Sequence, residues 1–221
     1  MGELIFLLFI FICIGFIYII HKYFGKYEFY ALAIIYTIIS FLMSFKLINV
    51  FGLDINPSII FSGGILIILY YFINRYDIKE YKKLIMLISS TSIICGIYLL
   101  SNSFMVPSIY DKGSLLYKNV ILDNLVILIV FPISLLITLI LSGYSFKELK
   151  KEVKNKNFKI IVTIIGLMFI DTFIFLYFSY AFLISFDKAI VIAVQNYFVK
   201  SIIMIIYMFI INKILGVKKV K

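Results

Sequence analysis

The sequence predicts an all-α integral membrane protein with about seven transmembrane helices. Of its 221 residues, 64% are hydrophobic and 14% are charged, whereas soluble domains are about 45–50% apolar and about 25% charged. The 21 Lys and Arg residues cluster between apolar runs, which is the pattern of a membrane protein and not of a nucleic-acid-binding protein. Residues 1–221 are therefore expected to form one domain in the lipid bilayer.

Seven apolar runs are long enough, or nearly so, to cross about 30 Å of hydrocarbon as helices. The first is expected to be retained, because Glu3 replaces a basic leader and no cleavage site follows. The third begins after Pro57, which suits a first helical turn, and carries Gly63–Gly64, which permits close helix approach. Pro132 is expected to kink the fifth. No stretch combines strand alternation with turn residues. The predicted spans are 4–20, 29–50, 59–73, 84–100, 120–142, 160–182 and 189–211.

Basic residues predict the orientation of these spans. One set of alternate connections, which includes the polar connector 143–159, holds sixteen Lys and Arg residues, while the other holds four. Positive residues remain in the cytoplasm, so the N-terminus is predicted outside and the C-terminus inside the cytoplasmic (cell) membrane.

Asp171 and Lys200 are charges in the middle of the sixth and seventh runs. A charge at the centre of a bilayer costs about 2.5–3.5 kcal/mol on insertion scales, so such residues are usually paired or line a polar cavity. Asp171 precedes Phe186 by 15 residues and Lys200 follows it by 14, which places both about 21–22 Å from the turn between the two helices. The sequence therefore predicts that the two charges lie at one depth.

Polar and aromatic residues share the predicted helix face of Lys200. Asn196, Tyr197 and Tyr207 lie at helical spacing from it, and these hydrogen-bonding and aromatic groups suit a planar polar solute. A purely structural Asp–Lys clamp between two helices is the alternative, and the sequence leaves it open.

Enzyme chemistry finds no support in the sequence. Neither a His or Cys cluster with metal-ligand spacing nor a phosphate-binding loop is present. The sole histidine, His21, lies at the end of the first run, away from a Ser and Asp that could complete a catalytic triad. We therefore expect neither an enzyme nor a bound metal or cofactor.

Several short motifs lie at the ends of the apolar runs and inside the last two runs. They are Tyr23–Phe24–Gly25–Lys26, Lys46 with Phe51–Gly52, Arg75–Tyr76 with Lys79–Glu80 and Lys82–Lys83, Asp171 with Phe175, and Tyr197 with Lys200. Together these motifs resemble the queuosine precursor transporter family, also called the vitamin uptake transporter family, over most of the chain. The resemblance implies import of a deazapurine precursor of a modified tRNA base, with Asp171, Lys200 and Lys46 as substrate or coupling residues.

At other positions this chain differs from the family, which tends to have an Asn/Gln pair in the second span, a Thr–Asp pair with a following Glu in the third, and a Gln in the sixth. In this chain the corresponding residues are Phe41 and Met43 in the second span, Leu69, Tyr70 and Asn74 in the third, and Met168 in the sixth. These losses imply a changed ligand, a changed coupling mode or a divergent paralogue.

The expected function is import of a small planar, purine-like heterocycle. Asp171, Lys200, Tyr197, Asn196 and Tyr207 are the expected solute-binding residues, joined by Lys46 through the resemblance. The alternatives are a substrate-binding subunit of a multi-component importer with an ATPase partner, and a structural membrane protein. A homo-oligomer also stays open.

Overall fold

The computed structural model confirms a helical, multi-pass membrane protein. It describes residues 2–106, 108, 114–151 and 156–214, and within them seven helices are long and apolar enough to cross a membrane. The elements in chain order are α1 (Gly2–Tyr23), α2 (Lys26–Met43), β1 (Ile48–Val50), β2 (Leu53–Ile55), α3 (Ser58–Arg75), α4 (Ile78–Ser103), α5 (Ser114–Asp123), α6 (Leu125–Lys151), α7 (Lys156–Thr172), a π-helical segment (Phe173–Tyr177), α8 (Phe178–Tyr180) and α9 (Phe186–Ile214).

The second predicted span, 29–50, is wrong at its C-terminal end. Helix α2 stops at Met43, and β1 then pairs antiparallel with β2. Phe51 and Gly52, the two residues between the strands, both have positive φ values, 53° and 77°. A two-residue turn with two positive φ values is the type I′ turn that matches strand twist. The sequence concealed this hairpin because Phe rarely adopts that conformation.

The β1–β2 hairpin connects α2 to α3 and packs against two other helices. Helices α2 and α3 have 18 residues each, so each is about 27 Å long. Strand β2 contacts α9, and β1 contacts α1. The hairpin is partly covered by these contacts: Val50 and Ile55 are buried, whereas Asn49, Phe51, Gly52 and Asp54 are exposed.

Helix α3 is the centre of the bundle. It contacts α1, α2, α4, α6 and α9, and fifteen of its 18 residues are buried. Its glycines permit this closeness, as predicted. A Cβ on Gly64 would lie 2.7 Å from Cys13 Sγ and 2.8 Å from the Tyr36 ring, and a Cβ on Gly63 would lie 3.1 Å from Met204 Sδ.

The fifth and sixth spans also differ from their predicted limits. A break at Asn124 separates α5 from α6, so the fifth span begins at Leu125 and not at residue 120. Helices α6 and α7 extend into the connector 143–159, of which residues 152–155 lie outside the described residues. Five of the basic residues that predict orientation also lie outside them: Lys112, Lys154, Lys218, Lys219 and Lys221.

Candidate functional site

Asp171 and Lys200 form an ion pair inside the bundle. Lys200 Nζ donates a hydrogen bond to Asp171 Oδ2. Lys200 is only 2% exposed and Asp171 only 9%. The structure brings the two charges into contact, as their similar distances from the turn allow. A buried pair of this kind loses most of its water, so its members need each other and further hydrogen bonds.

A third helix supports the carboxylate. Thr138 on α6 donates a hydrogen bond to Asp171 Oδ1 at 3.2 Å, so both carboxylate oxygens have partners. Asp171 and Lys200 belong to α7 and α9, and α6, α7 and α9 therefore meet at one group. Helix α6 contacts α7, and α7 contacts α9, which holds these side chains in place.

A small cavity with a mixed polar and apolar lining adjoins the pair. Its volume is about 20 Å³, which is enough for about one water molecule. Asp171 and Lys200 line it together with Ser58, Ile59, Ser62, Phe131, Ser134, Leu135, Thr172 and Phe175. The hydroxyl of Thr172 is buried and has no hydrogen-bond partner in the described structure.

Sequence reasoning missed the hydroxyl residues of this cavity. Ser58 and Ser62 are four residues apart on α3, and Ser134 and Thr138 are four apart on α6. Residues four apart lie on one face of a helix, so each helix presents two hydroxyls on one side. That spacing was a usable signal, but the sequence does not say that both faces meet Asp171.

Asn196, predicted to bind solute, is engaged by the β1–β2 hairpin. Its Oδ1 accepts a hydrogen bond from the backbone N–H of Asn56 at 2.7 Å. Its Nδ2 donates to the carbonyls of Asp54 at 3.0 Å and of Ile192 at 2.7 Å. An amide nitrogen has two hydrogens, and both are used here. Asn196 therefore satisfies hairpin backbone in the described conformation.

The two predicted tyrosines lie outside the cavity lining. Tyr197 packs against the rings of Phe169 and Phe173, with centroid distances of 5.4 and 6.4 Å. Tyr207 is fully buried, and its hydroxyl donates to the carbonyl of Ile60 at 3.4 Å. Both side chains therefore serve helix packing in the described conformation.

Lys46 lies apart from the pair in this structure. It is exposed, in the connection between α2 and β1, and it does not belong to the lining of the cavity. The structure thus brings Asp171 and Lys200 together, places Asn196 one turn from Lys200, and does not add Lys46.

The three third-span positions that depart from the family pattern also make contacts within the protein. Leu69 is fully buried and Tyr70 packs its ring against Phe146 at 5.7 Å. Asn74 donates to the carbonyl of Tyr70 at 2.8 Å. These side chains therefore support the helix bundle.

The π-helical segment begins directly after Asp171 and Thr172. It comprises Phe173–Tyr177 and includes Phe175, whose side chain lines the cavity. Segments with π-helical geometry are rare and frequently occur at functional sites, because the extra residue changes which side chains face a neighbour. Here the segment turns an aromatic ring toward the charged pair.

The described residues contain no group of three His, Cys, Asp or Glu side chains that could hold a metal ion. The arrangement can instead exchange hydrogen bonds with a neutral polar solute, because it combines an acceptor, a donor and several hydroxyls. Fold and site together define a multi-pass membrane protein with a buried, polar, charge-paired cluster.

No protein-family model, curated protein or solved structure matches the chain. The resemblance to queuosine precursor transporters therefore stays a prediction.

Proposed function

We propose that the protein is a transporter that imports a small planar heterocycle across the cytoplasmic membrane. The observation that carries the proposal is the buried Asp171–Lys200 pair, which adjoins a hydroxyl-lined cavity at the junction of α3, α6, α7 and α9. Intramembrane charged residues that face a bundle interior typically mark the path of a solute or ion. The N-terminus is proposed outside and the C-terminus in the cytoplasm.

The proposed solute is a 7-deazapurine precursor of queuosine, for which the family resemblance is the support. Such a ring carries N–H groups that can donate hydrogen bonds to the Asp171 carboxylate. It also carries a carbonyl or ring nitrogen that can accept a hydrogen bond from the Lys200 ammonium. When the site is empty, the two side chains neutralise each other, as they do in the described structure. A solute that inserts between the two side chains gives each charged group a charge-assisted hydrogen bond in place of the ion pair.

The described conformation is the closed state of this cycle. A cavity of about 20 Å³ holds a water molecule, whereas ligand pockets measure about 300 Å³ or more. Solute binding therefore requires helices or the hairpin to separate. Ring stacking on Tyr197 or Tyr207 belongs to an open state, because both side chains are packed in the closed one.

The decisive experiment is uptake. Cells that cannot make queuosine and lack their own importer receive this chain and 7-deazapurine precursors, and queuosine in tRNA is measured. We expect modified tRNA with the wild-type chain and none with Asp171→Asn. Absence of uptake by a chain that is folded in the membrane overturns the assignment of the solute.

A helix clamp is the competing function, and the closed, mutually paired geometry of Asp171 and Lys200 favours it. The charge-exchanged variant Asp171→Lys/Lys200→Asp separates the two. A clamp tolerates the exchange, because the pair persists, whereas a site shaped for one solute loses uptake while the protein still folds. If the chain is the binding subunit of a larger importer, uptake appears only when a co-purifying ATPase is supplied.

A further inference from the structure

The Asp171–Lys200 pair is covered, so some element has to move before a solute can reach it. The adjoining cavity, about 20 Å³, is more than tenfold smaller than an ordinary ligand pocket of about 300 Å³. Helices that pack along their whole length resist such a movement. A short non-helical element beside the cavity is a better candidate, since fewer contacts hold it.

The β1–β2 hairpin lies directly beside the cavity. Strand β2 ends at Ile55, and after Asn56 and Pro57 the chain reaches Ser58, whose side chain lines the cavity. Asn196, to which the hairpin binds, precedes Lys200 by four residues, or about 6 Å along α9. The hairpin thus contacts α9 about one helical turn before Lys200, on the side of the pair at which α9 begins.

Side-chain amides of α9 bind the hairpin backbone. Asn196 accepts from the N–H of Asn56 at 2.7 Å and donates to the carbonyl of Asp54 at 3.0 Å. Gln195 Oε1 accepts from the N–H of Asp54 at 3.1 Å. The sheet has two strands, so the outward polar groups of β2 depend on these amides. Neutral hydrogen bonds of this kind break and re-form more readily than a packed helix interface slides.

Asn56 attaches the same hairpin to the neighbouring elements. Its Nδ2 donates to the carbonyl of Ser44 at 2.9 Å and to the hydroxyl of Tyr180 at 3.1 Å, and its Oδ1 accepts from the N–H of Ser58 at 3.0 Å. One amide thus connects the hairpin to the end of α2, to α8 and to the start of α3.

We propose that the β1–β2 hairpin is the gate of the solute site and that Asn196 is the positioning residue that latches it to α9. Release of the latch gives access to Asp171 and Lys200 from the hairpin side of the membrane. The gate rests on the proposed transport function for its purpose, but its opening can be measured without any solute.

Cysteine accessibility tests the latch. Ser62→Cys places a thiol in the cavity lining, in a Cys95→Ser background, and native Cys13 is fully buried. In proteoliposomes, a membrane-impermeant methanethiosulfonate reagent applied from the hairpin side is expected to label this thiol about tenfold faster with Asn196→Ala, the order expected for two lost hydrogen bonds.

The matched control is Asn74→Ala. Asn74 also donates from Nδ2 to the carbonyl four residues earlier, at the opposite end of α3, and its loss is expected to leave the labelling rate unchanged. An unchanged rate in Asn196→Ala, or an equal rise in Asn74→Ala, overturns the assignment of the latch.

A reversible cross-link tests the gate itself and does not depend on whether Asn196→Ala folds. The double variant Asp54→Cys/Gln195→Cys joins hairpin to α9 through a short bis-methanethiosulfonate reagent. Uptake of 7-deazapurine precursor is expected to stop on cross-linking and to return on reduction. Each single-cysteine variant, treated in the same way, is the control.

The outcomes separate the gate from the proposed function. Uptake that continues through a complete cross-link overturns the gate and leaves the transport function standing. If the wild-type chain shows no uptake while Asn196→Ala still speeds the labelling of Ser62→Cys, the proposed solute is overturned and the opening of the hairpin is supported.

Discussion

Neutralising Lys200 alone should destabilise the protein far more than neutralising both members of the pair. Lys200→Met keeps the aliphatic length of the side chain and removes the ammonium group. Asp171 then retains Thr138 as a neutral donor at 3.2 Å but no opposite charge. Breaking a buried pair on one side costs about 3–5 kcal/mol, because an uncompensated charge stays in the interior.

The same reasoning gives the size of the other effects. Asp171→Asn leaves the ammonium of Lys200, which is only 2% exposed, without a counter-charge, and should cost about 3 kcal/mol or more. The double variant removes both charges, and such replacements are often nearly neutral. Its cost should therefore lie about 3 kcal/mol or more below the sum of the single costs, which is a strong coupling.

The assay is unfolding by sodium dodecyl sulfate in mixed micelles, followed by circular dichroism. The chain has no tryptophan, so the helical signal is the suitable probe. Thr138→Val is the control for loss of one neutral hydrogen bond and should cost about 1 kcal/mol. If the two single costs simply add in the double variant, Asp171 and Lys200 do not stabilise each other and the reasoning is refuted.

Three further predictions concern packing, the hairpin turn and Lys46. Gly64→Ala should lower the free energy of unfolding by about 1–3 kcal/mol through overpacking, because its Cβ would lie 2.7 Å from Cys13 Sγ. The control Gly166→Ala, whose Cβ would meet nothing within 4 Å, should be neutral or stabilising by up to about 1 kcal/mol. Equal unfolding midpoints for the two variants would refute this prediction. Phe51→Asn should stabilise the hairpin by about 1 kcal/mol, since Asn tolerates φ near 53°; slower hydrogen exchange in the hairpin is the expected readout, and faster exchange contradicts it. Lys46→Gln should keep precursor uptake within about twofold of wild type, as for a surface change, because Lys46 is exposed; a loss comparable with that of Asp171→Asn would place it in the site.

The second span shows where a length argument fails. The run 29–50 is apolar throughout much of its length, which predicts one helix, yet it contains α2, a turn and β1. A short apolar run does not by its hydropathy distinguish the last turns of a helix from a strand. The side chains that satisfy this hairpin come mainly from Asn196 and Gln195, roughly 140 residues away in the chain.

Asn196 and Tyr207 show the same difficulty for the site. Both share a predicted helix face with Lys200, and both are buried. A side chain that faces the bundle interior can contact either a solute or a neighbouring helix. In the described state Asn196 accepts a hydrogen bond from Asn56 after the hairpin, and Tyr207 donates one to the backbone of α3. Helical periodicity therefore identified the interior face correctly and left the partner of each side chain open.

The sequence by itself determined the helical class, the seven spans and the common depth of Asp171 and Lys200. Hydrocarbon thickness sets the length of a span, and counting from a shared turn sets the depth of a residue. Only the tertiary structure decided how each helix is rotated about its axis. That rotation brings Ser62 of α3 and Ser134 of α6 to the same cavity as the pair. Neither length nor hydropathy constrains it, because packing between distant segments decides which faces meet.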